Sequence, residues 1–421
     1  MDTRTGTARA DGRVTAAVGT AWVVLLSFAA YYRVRPWPDI LLHIDFSSFW
    51  MAATMLRDGA GPALFDVEAQ YAFQLGLRQD LGITEEIRRD MGYNPYPNPP
   101  ALALLYLPLT LLPIPWAYLL WWGIGLSAFA AAIALPLRGH PLGRSTALLM
   151  LSFVGVTTTL FEGQPYGLLL LAFSLGLVAL RSDSPFLGGV LLGLLWLKPQ
   201  YAAIFPLVFL AKGRWRELSG VAASGLAVAG FSLALVGSSG ILAWLRLLRE
   251  IGGFHYPWVD PWAMTNWRGV VTNLWPAVPE ETGSALVLGL GAATLLLSLA
   301  AWRGSWDPVS PRFPRQVLAA VLATILASPH SHVHGAVFLL PAVALTLCHP
   351  MKSAAGERAW KPLLLVGYAL SLAIWPFGLA RWALVPFLMG VLGLSVYQCW
   401  RDPELRAARA EAGAGGVARA G

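Results

Sequence analysis

SALVLGLGAATLLLSLAAW, residues 284–302, is nineteen residues long and carries no charge. At the α-helical rise of about 1.5 Å per residue it measures about 28 Å, close to the roughly 30 Å thickness of a bilayer's hydrocarbon core. An exposed helix of this composition has no stable place in water, so the stretch reads as a membrane span. Runs of the same kind occur on both sides of it, at 16–32, 116–137, 145–160, 166–180, 185–197, 201–210, 218–236, 316–327, 335–347, 362–377 and 382–400. Several are short for a bilayer. Together they predict an all-α, polytopic membrane protein with about twelve transmembrane helices. Composition agrees: 56% of the 421 residues are hydrophobic and only 13% charged, whereas a soluble domain carries charge on about a quarter of its residues.

The organisation predicted is one polytopic domain over residues 1–400, interrupted by long outer loops at 33–98 and 237–283, with a flexible cytoplasmic tail at 401–421. The run at 16–32 follows Arg4, Arg9 and Arg13 and lacks a small-residue cleavage pattern, so it reads as an anchor rather than a cleaved signal. With the N-terminus inside, 19 of the 30 Lys and Arg fall in cytoplasmic segments and the short outer turns are nearly free of them, apart from Lys198 and Arg381. Both termini are then cytoplasmic. The net charge of +7 is explained by this membrane sidedness, since no basic stripe interleaves with aromatics, and a nucleic-acid partner is not expected. Cys348 and Cys399 both lie in apolar runs, which leaves no disulfide framework and no cysteine metal site. The segment 99–113, bracketed by prolines, reads as re-entrant or as a broken extension of the following span. Gly188–Gly189 and Gly289–Gly291 read as close helix contacts.

Under this topology the unusual polar residues share the outer side. His43-Ile44-Asp45-Phe46 follows the first span, and Phe46, Phe49, Trp50, Ala53 and Leu56 then recur at helical spacing, the apolar face of a short interfacial helix. A second amphipathic helix is expected at 64–77. Asp45 is either the cap of the first helix or a carboxylate kept at the membrane surface for use. Tyr93 to Pro100 is a rigid, aromatic, proline-rich entry to the membrane. Glu162-Gly163-Gln164-Pro165 reads as a helix cap or a hydroxyl-binding corner. Lys198, in a two-residue outer turn, either snorkels or meets a lipid phosphate as a point cation. In the loop 237–283, Trp258 and Trp267 offer indoles that can stack on a sugar, beside Asn266 and Arg268, whose guanidinium suits phosphate. Ser328-Pro329-His330-Ser331-His332-Val333-His334 puts three of seven histidines in one turn, suited to a metal or to hydrogen bonds with a phosphate.

Taken in order, His43-Ile44-Asp45-Phe46, the Tyr96-Pro97-Asn98-Pro99-Pro100 entry, Gly163-Gln164, Leu197-Lys198-Pro199-Gln200, Asn266-Trp267-Arg268-Gly269 and Ser328-Pro329-His330-Ser331-His332 resemble glycosyltransferase family 87. That family belongs to the membrane-embedded C superfamily and contains polyprenol-phosphate-mannose-dependent mannosyltransferases. One departure is Tyr166, at a position where such proteins often carry Asn.

The resemblance implies an inverting transferase of the bacterial inner membrane with an outward-facing site and no metal or other cofactor. Its partners would be the bilayer, a polyprenyl-phosphate sugar donor, mannose being the sugar implied, and a glycolipid or glycan acceptor. Asp45 would be the general base. Lys198, Arg268, His330 and His332 would hold the donor phosphate, and His43, Gln164, Trp258, Asn266 and Trp267 would contact sugar or acceptor. Two other readings use the same features: a lipid-linked sugar transporter or flippase, and a ligase with a lipid-diphosphate-sugar donor. Transporters place ionisable groups near the bilayer midplane and repeat their halves, and neither pattern is present here.

Overall fold

A computed structural model describes residues 41–83, 93–138, 140, 143–254, 261–351, 359–374 and 381–401. The predicted first span, Trp258 and the tail beyond Arg401 lie outside the described residues. Those described are helical almost throughout; a single β-bridge, Met264 to His332, is the one extended pairing among them.

Four helices are individually long and apolar enough to cross a membrane: Ile114–Ala134, Trp215–Gly252, Glu280–Ala300 and Arg381–Arg401. The other predicted runs are shorter apolar helices, including Tyr166–Arg181, Phe313–Ala327 and the pairs Pro185–Leu197 with Pro199–Ala211. A count of twelve treats every apolar run alike, but several runs are broken by prolines or by a change to 3-10 geometry. The run at 145–160, for example, forms two helices, Gly143–Leu151 and Val154–Glu162.

Between Pro99 and Pro113 the chain forms two 3-10 helices, Pro100–Leu105 and Leu107–Leu111, rather than α-helix. Proline removes a donor and clashes with the preceding turn, so Pro108 and the flanking prolines prevent a regular ladder. The same residue type opens the next span, where Pro115 sits in the first turn of Ile114–Ala134.

The Asp45–Arg57 helix differs from the expected surface element. Phe46 to Phe49 and Met51 to Met55 are all buried, so it is enclosed on nearly every side rather than floating at an interface. Its aromatic residues join a cluster with Tyr96, Tyr106, Tyr118 and Trp121, in which Phe49 and Tyr106 stack with centroids 4.8 Å apart. The second helix, Val67–Asp80, begins where Asp66 accepts from the amides of Glu68 and Ala69. The outer loop expected to start at residue 237 instead continues as helix to Gly252, with a kink at Gly237, whose φ of 69° admits glycine and few other residues.

Helix contact relies on small residues, as expected where lipid provides no hydrophobic drive for association. A Cβ on Gly189 would stand 2.1 Å from the Glu217 carbonyl oxygen, and one on Gly220 would stand 2.3 Å from that of Phe186. Ser224 Oγ donates to the Val190 carbonyl at 2.7 Å across the same seam.

Candidate active site

Residues 41–43 are helical, Ile44 is extended (φ −100°, ψ 155°), and a new helix starts at Asp45. Ile44 therefore occupies the cap position, and the cap role considered for the Asp45 side chain is not what the structure shows. Asp45 stands in the first turn, where the helix dipole favours a carboxylate. Its two oxygens take side-chain amides instead: Asn94 Nδ2 donates to Oδ1 at 3.2 Å, and Gln164 Nε2 donates to Oδ2. The Asp45 amide donates to Glu162 Oε2 at 3.3 Å. A second carboxyl group thus sits against the first.

The turn that brings Glu162 and Gln164 there is fixed by its carbonyl. Gly163 O accepts from both Tyr106 Oη and Trp121 Nε1, each at 2.8 Å. Gly163 has φ 65°, and a Cβ there would meet Phe46 Cβ at 2.6 Å. Only glycine gives both the backbone shape and the clearance. Burial raises the Glu162 pKa to about 8, the Asp45 charge adds to this, and the Asp45 amide and Arg381 pull the other way.

Lys198 sits where the 3-10 turn Leu194–Leu197 gives way to the short helix Pro199–Ala202. The residue is buried, and its Nζ lies 5.3 Å from the ring centroids of both Phe49 and Tyr166. Phe49 is one turn beyond Asp45, so carboxylate and ammonium share a side of the same helix. Burial lowers the Lys198 pKa to about 8, against the pull of Asp45. Tyr166 carries the His334 ring stacked 5.2 Å away, which links the lysine to the histidine turn.

The histidine turn is stitched to the segment before Trp267. Thr265 N donates to Ser331 O at 2.9 Å, Met264 pairs with His332, and Asn266 Nδ2 donates to Ser328 O at 2.8 Å. Asn266 also caps the Trp267–Leu274 helix through Gly269 N. The Trp267 indole donates to Thr294 Oγ1 on the neighbouring span. Arg268 is buried and gives its guanidinium to the carbonyls of Ile251, Gly253 and Phe254. These three residues, proposed to touch sugar or phosphate, make structural bonds that position the turn. His330 and His332 face each other, Nε2 to Nε2, at 3.2 Å. His43 is exposed. Among the described residues no three His, Cys, Asp or Glu side chains converge as a metal site.

Asp45, Gln164, Lys198, His330 and His332 thus come into one region. Sequence reasoning took Glu162 only as part of a helix cap or hydroxyl-binding corner, and passed over Asn94 and Phe49 as participants. Glu162 had a signal, being the lone carboxylate of its outer turn, beside Gln164; Asn94 and Phe49 had none, because each is read as a breaker or as packing.

The model of glycosyltransferase family 87 matches residues 96–329, more than half of the chain. The chain belongs to glycosyltransferase family 87. It is a glycosyltransferase, and the family match spans Gln164, Lys198 and Asn266 to Arg268, while Asp45 lies well before it and His330 immediately after it. Two curated relatives are each 28% identical. One is the polyprenol-phosphate-mannose-dependent alpha-(1-2)-phosphatidylinositol pentamannoside mannosyltransferase of Mycolicibacterium smegmatis, aligned over 71% of this chain and 75% of its own. The other, of the same description, comes from Mycobacterium tuberculosis and aligns over 68% of each chain. No solved structure matches this family 87 chain.

Proposed function

We propose that the protein is an inverting mannosyltransferase that moves mannose from a polyprenyl-phosphate donor to an extracytoplasmic glycolipid or glycan acceptor, with Asp45 as general base. The observation that carries this reading is the placement of an amide-held carboxylate one helical turn before Phe49, whose ring lies against a buried ammonium. The relatives' names supply the donor class.

In this reading Asp45 takes the proton of the acceptor hydroxyl as its oxygen attacks the anomeric carbon. The bond from that carbon to the phosphate oxygen breaks, and its electron pair leaves with the polyprenyl phosphate. A single displacement inverts the anomeric centre. Lys198 offsets the charge that develops on the leaving oxygen, and His330, oriented by His332, supplies a hydrogen bond to it. Arg268 adds positive potential from behind His330 while its donors stay on backbone carbonyls. The amides of Asn94 and Gln164 hold the base in one orientation, which serves a near-attack geometry.

The test is transfer from radiolabelled polyprenyl-phosphate-mannose by purified protein in lipid vesicles with crude acceptor lipids and a chelator. Asp45→Asn is expected to fold and to lose about 10²–10⁴-fold in transfer. Wild-type transfer abolished by the chelator would overturn the metal-free mechanism. Transfer by Asp45→Asn at the wild-type rate would remove the base assignment, and wild-type inactivity with every acceptor fraction would favour another donor or translocation.

A further inference from the structure

The histidine pair carries a proton assignment that follows from its acceptors. His332 Nδ1 lies 3.1 Å from the Ala263 carbonyl oxygen. A carbonyl only accepts, so Nδ1 bears the hydrogen, and Nε2 of a neutral His332 bears a lone pair. His330 Nε2, 3.2 Å away, must then be the donor. That leaves His330 Nδ1 bare, on a residue that is exposed. The backbone holds this order: Ser328 Oγ donates to His330 O at 2.9 Å, the Thr265 amide donates to Ser331 O, and His332 pairs with Met264.

A phosphate meeting this arrangement meets a lone pair where it needs a donor. We propose that the His330–His332 pair is a one-proton acceptor whose tautomer is locked by the Ala263 carbonyl, so that phosphate binding draws a proton from solvent onto His330 Nδ1. His330 then donates a charge-assisted hydrogen bond to the phosphate and keeps its other hydrogen on His332. The proton returns to solvent when polyprenyl phosphate departs, and no other reactant is involved. This inference rests on the reading of Lys198 and the histidine turn as the donor-phosphate site.

The surroundings keep the His330 ring neutral. Among the described residues the titratable and charged groups acting on His330 are His332, Lys198 and Arg268, with His334 next to His332. None is an acid. The protein around the ring, together with these neighbours, lowers the His330 pKa well below the ordinary histidine value. Only an incoming anion reverses that balance, and a phosphate monoester with a second pKa of about 6 arrives near pH 7 mostly as the dianion. His332 is in this account a positioning residue: without it His330 could turn to the Nδ1–H form and donate with no proton taken up.

The experiment is calorimetric titration of the full-length protein in lipid nanodiscs with farnesyl phosphate near pH 7, in buffers of different ionisation enthalpy. Lys198, with a pKa of about 8, is already about nine-tenths protonated there and contributes about a tenth of a proton. Wild type is expected to take up about one proton per ligand, His330→Gln about none, and His332→Phe well under half, with binding weakened in the two variants but still measurable. Wild-type binding without uptake, or equal uptake in all three proteins, overturns the inference and leaves the phosphate site standing. No binding by wild type overturns the site assignment and the inference together.

Discussion

Glu162 keeps its proton to about pH 8 in the folded protein and to about 4.5 as an ordinary carboxyl group. Between those values the folded state binds more protons than the unfolded one, so stability falls as pH rises through the window. Lys198 acts the other way above about pH 8, where the unfolded chain holds the proton longer. The thermal midpoint of the detergent-purified protein should therefore fall from acid toward pH 8, and Glu162→Gln should flatten that slope. An unchanged slope would show that Glu162 ionises freely. Asp45, Lys198 and the histidine turn could be read from the sequence because a charge or an imidazole row in an apolar chain has few bland uses. Asn94 could not, since its role depends on a contact with Asp45 forty-nine positions away. For Arg268 and Asn266 the backbone partners were illegible for a related reason. Their side chains suit phosphate and sugar, and nothing local to them reveals that backbone carbonyls take the bonds first.

At the level of single elements, the Glu162–Gln164 turn is the most constrained piece of the site. Gly163→Ala would place a methyl group against Phe46 and force a left-handed backbone on an L-residue, at a cost of about 1–3 kcal/mol. Because Gln164 and Glu162 flank it, the expected result is a lower melting temperature and a loss of transfer even at saturating donor. Normal kinetics in that variant would detach the turn from catalysis. The Arg268 clamp gives a different outcome. Arg268→Lys cannot reach three carbonyls, and it should cost about 2 kcal/mol of stability or more while changing the donor KM within about threefold. A large rise in donor KM with unchanged melting would return the guanidinium to the phosphate. The spans were legible to within a few residues where an apolar run is long and unbroken, as at Ile114–Ala134 and Glu280–Ala300. The enclosure of Asp45–Arg57 was not, because helical periodicity reports one apolar face and cannot show that Ser47, Ser48 and Thr54 are covered as well.

For the whole molecule, sidedness is the prediction that matters. The proposed topology puts Asp58, at the far end of the Asp45–Arg57 helix, outside and Arg303 inside. Both are exposed, while Cys348 and Cys399 are buried and give little background to thiol labelling. A membrane-impermeant maleimide added to intact cells should label Asp58→Cys and spare Arg303→Cys; the reverse pattern would invert the enzyme. Membrane class and an all-helical fold followed from composition and run length alone. How short runs pair and which of them are continuous depended on prolines and 3-10 turns, whose effect is set by neighbours distant in sequence.

The kink at Gly237 bears on which membranes suit this enzyme. From Trp215 to Val236 the helix has 22 residues, about 33 Å of rise, near the roughly 30 Å of a typical hydrocarbon core. In the proposed topology the bend then falls near the level where acyl chains give way to headgroups. Just before it, the Leu235 carbonyl abuts Gly61, close behind the helix that carries Asp45. A bilayer with shorter or longer acyl chains would pull this joint off its level, and Asp45, the proposed base, would be displaced with it. Lipid chain length thus becomes a variable of catalysis, set by where a single glycine falls along one span.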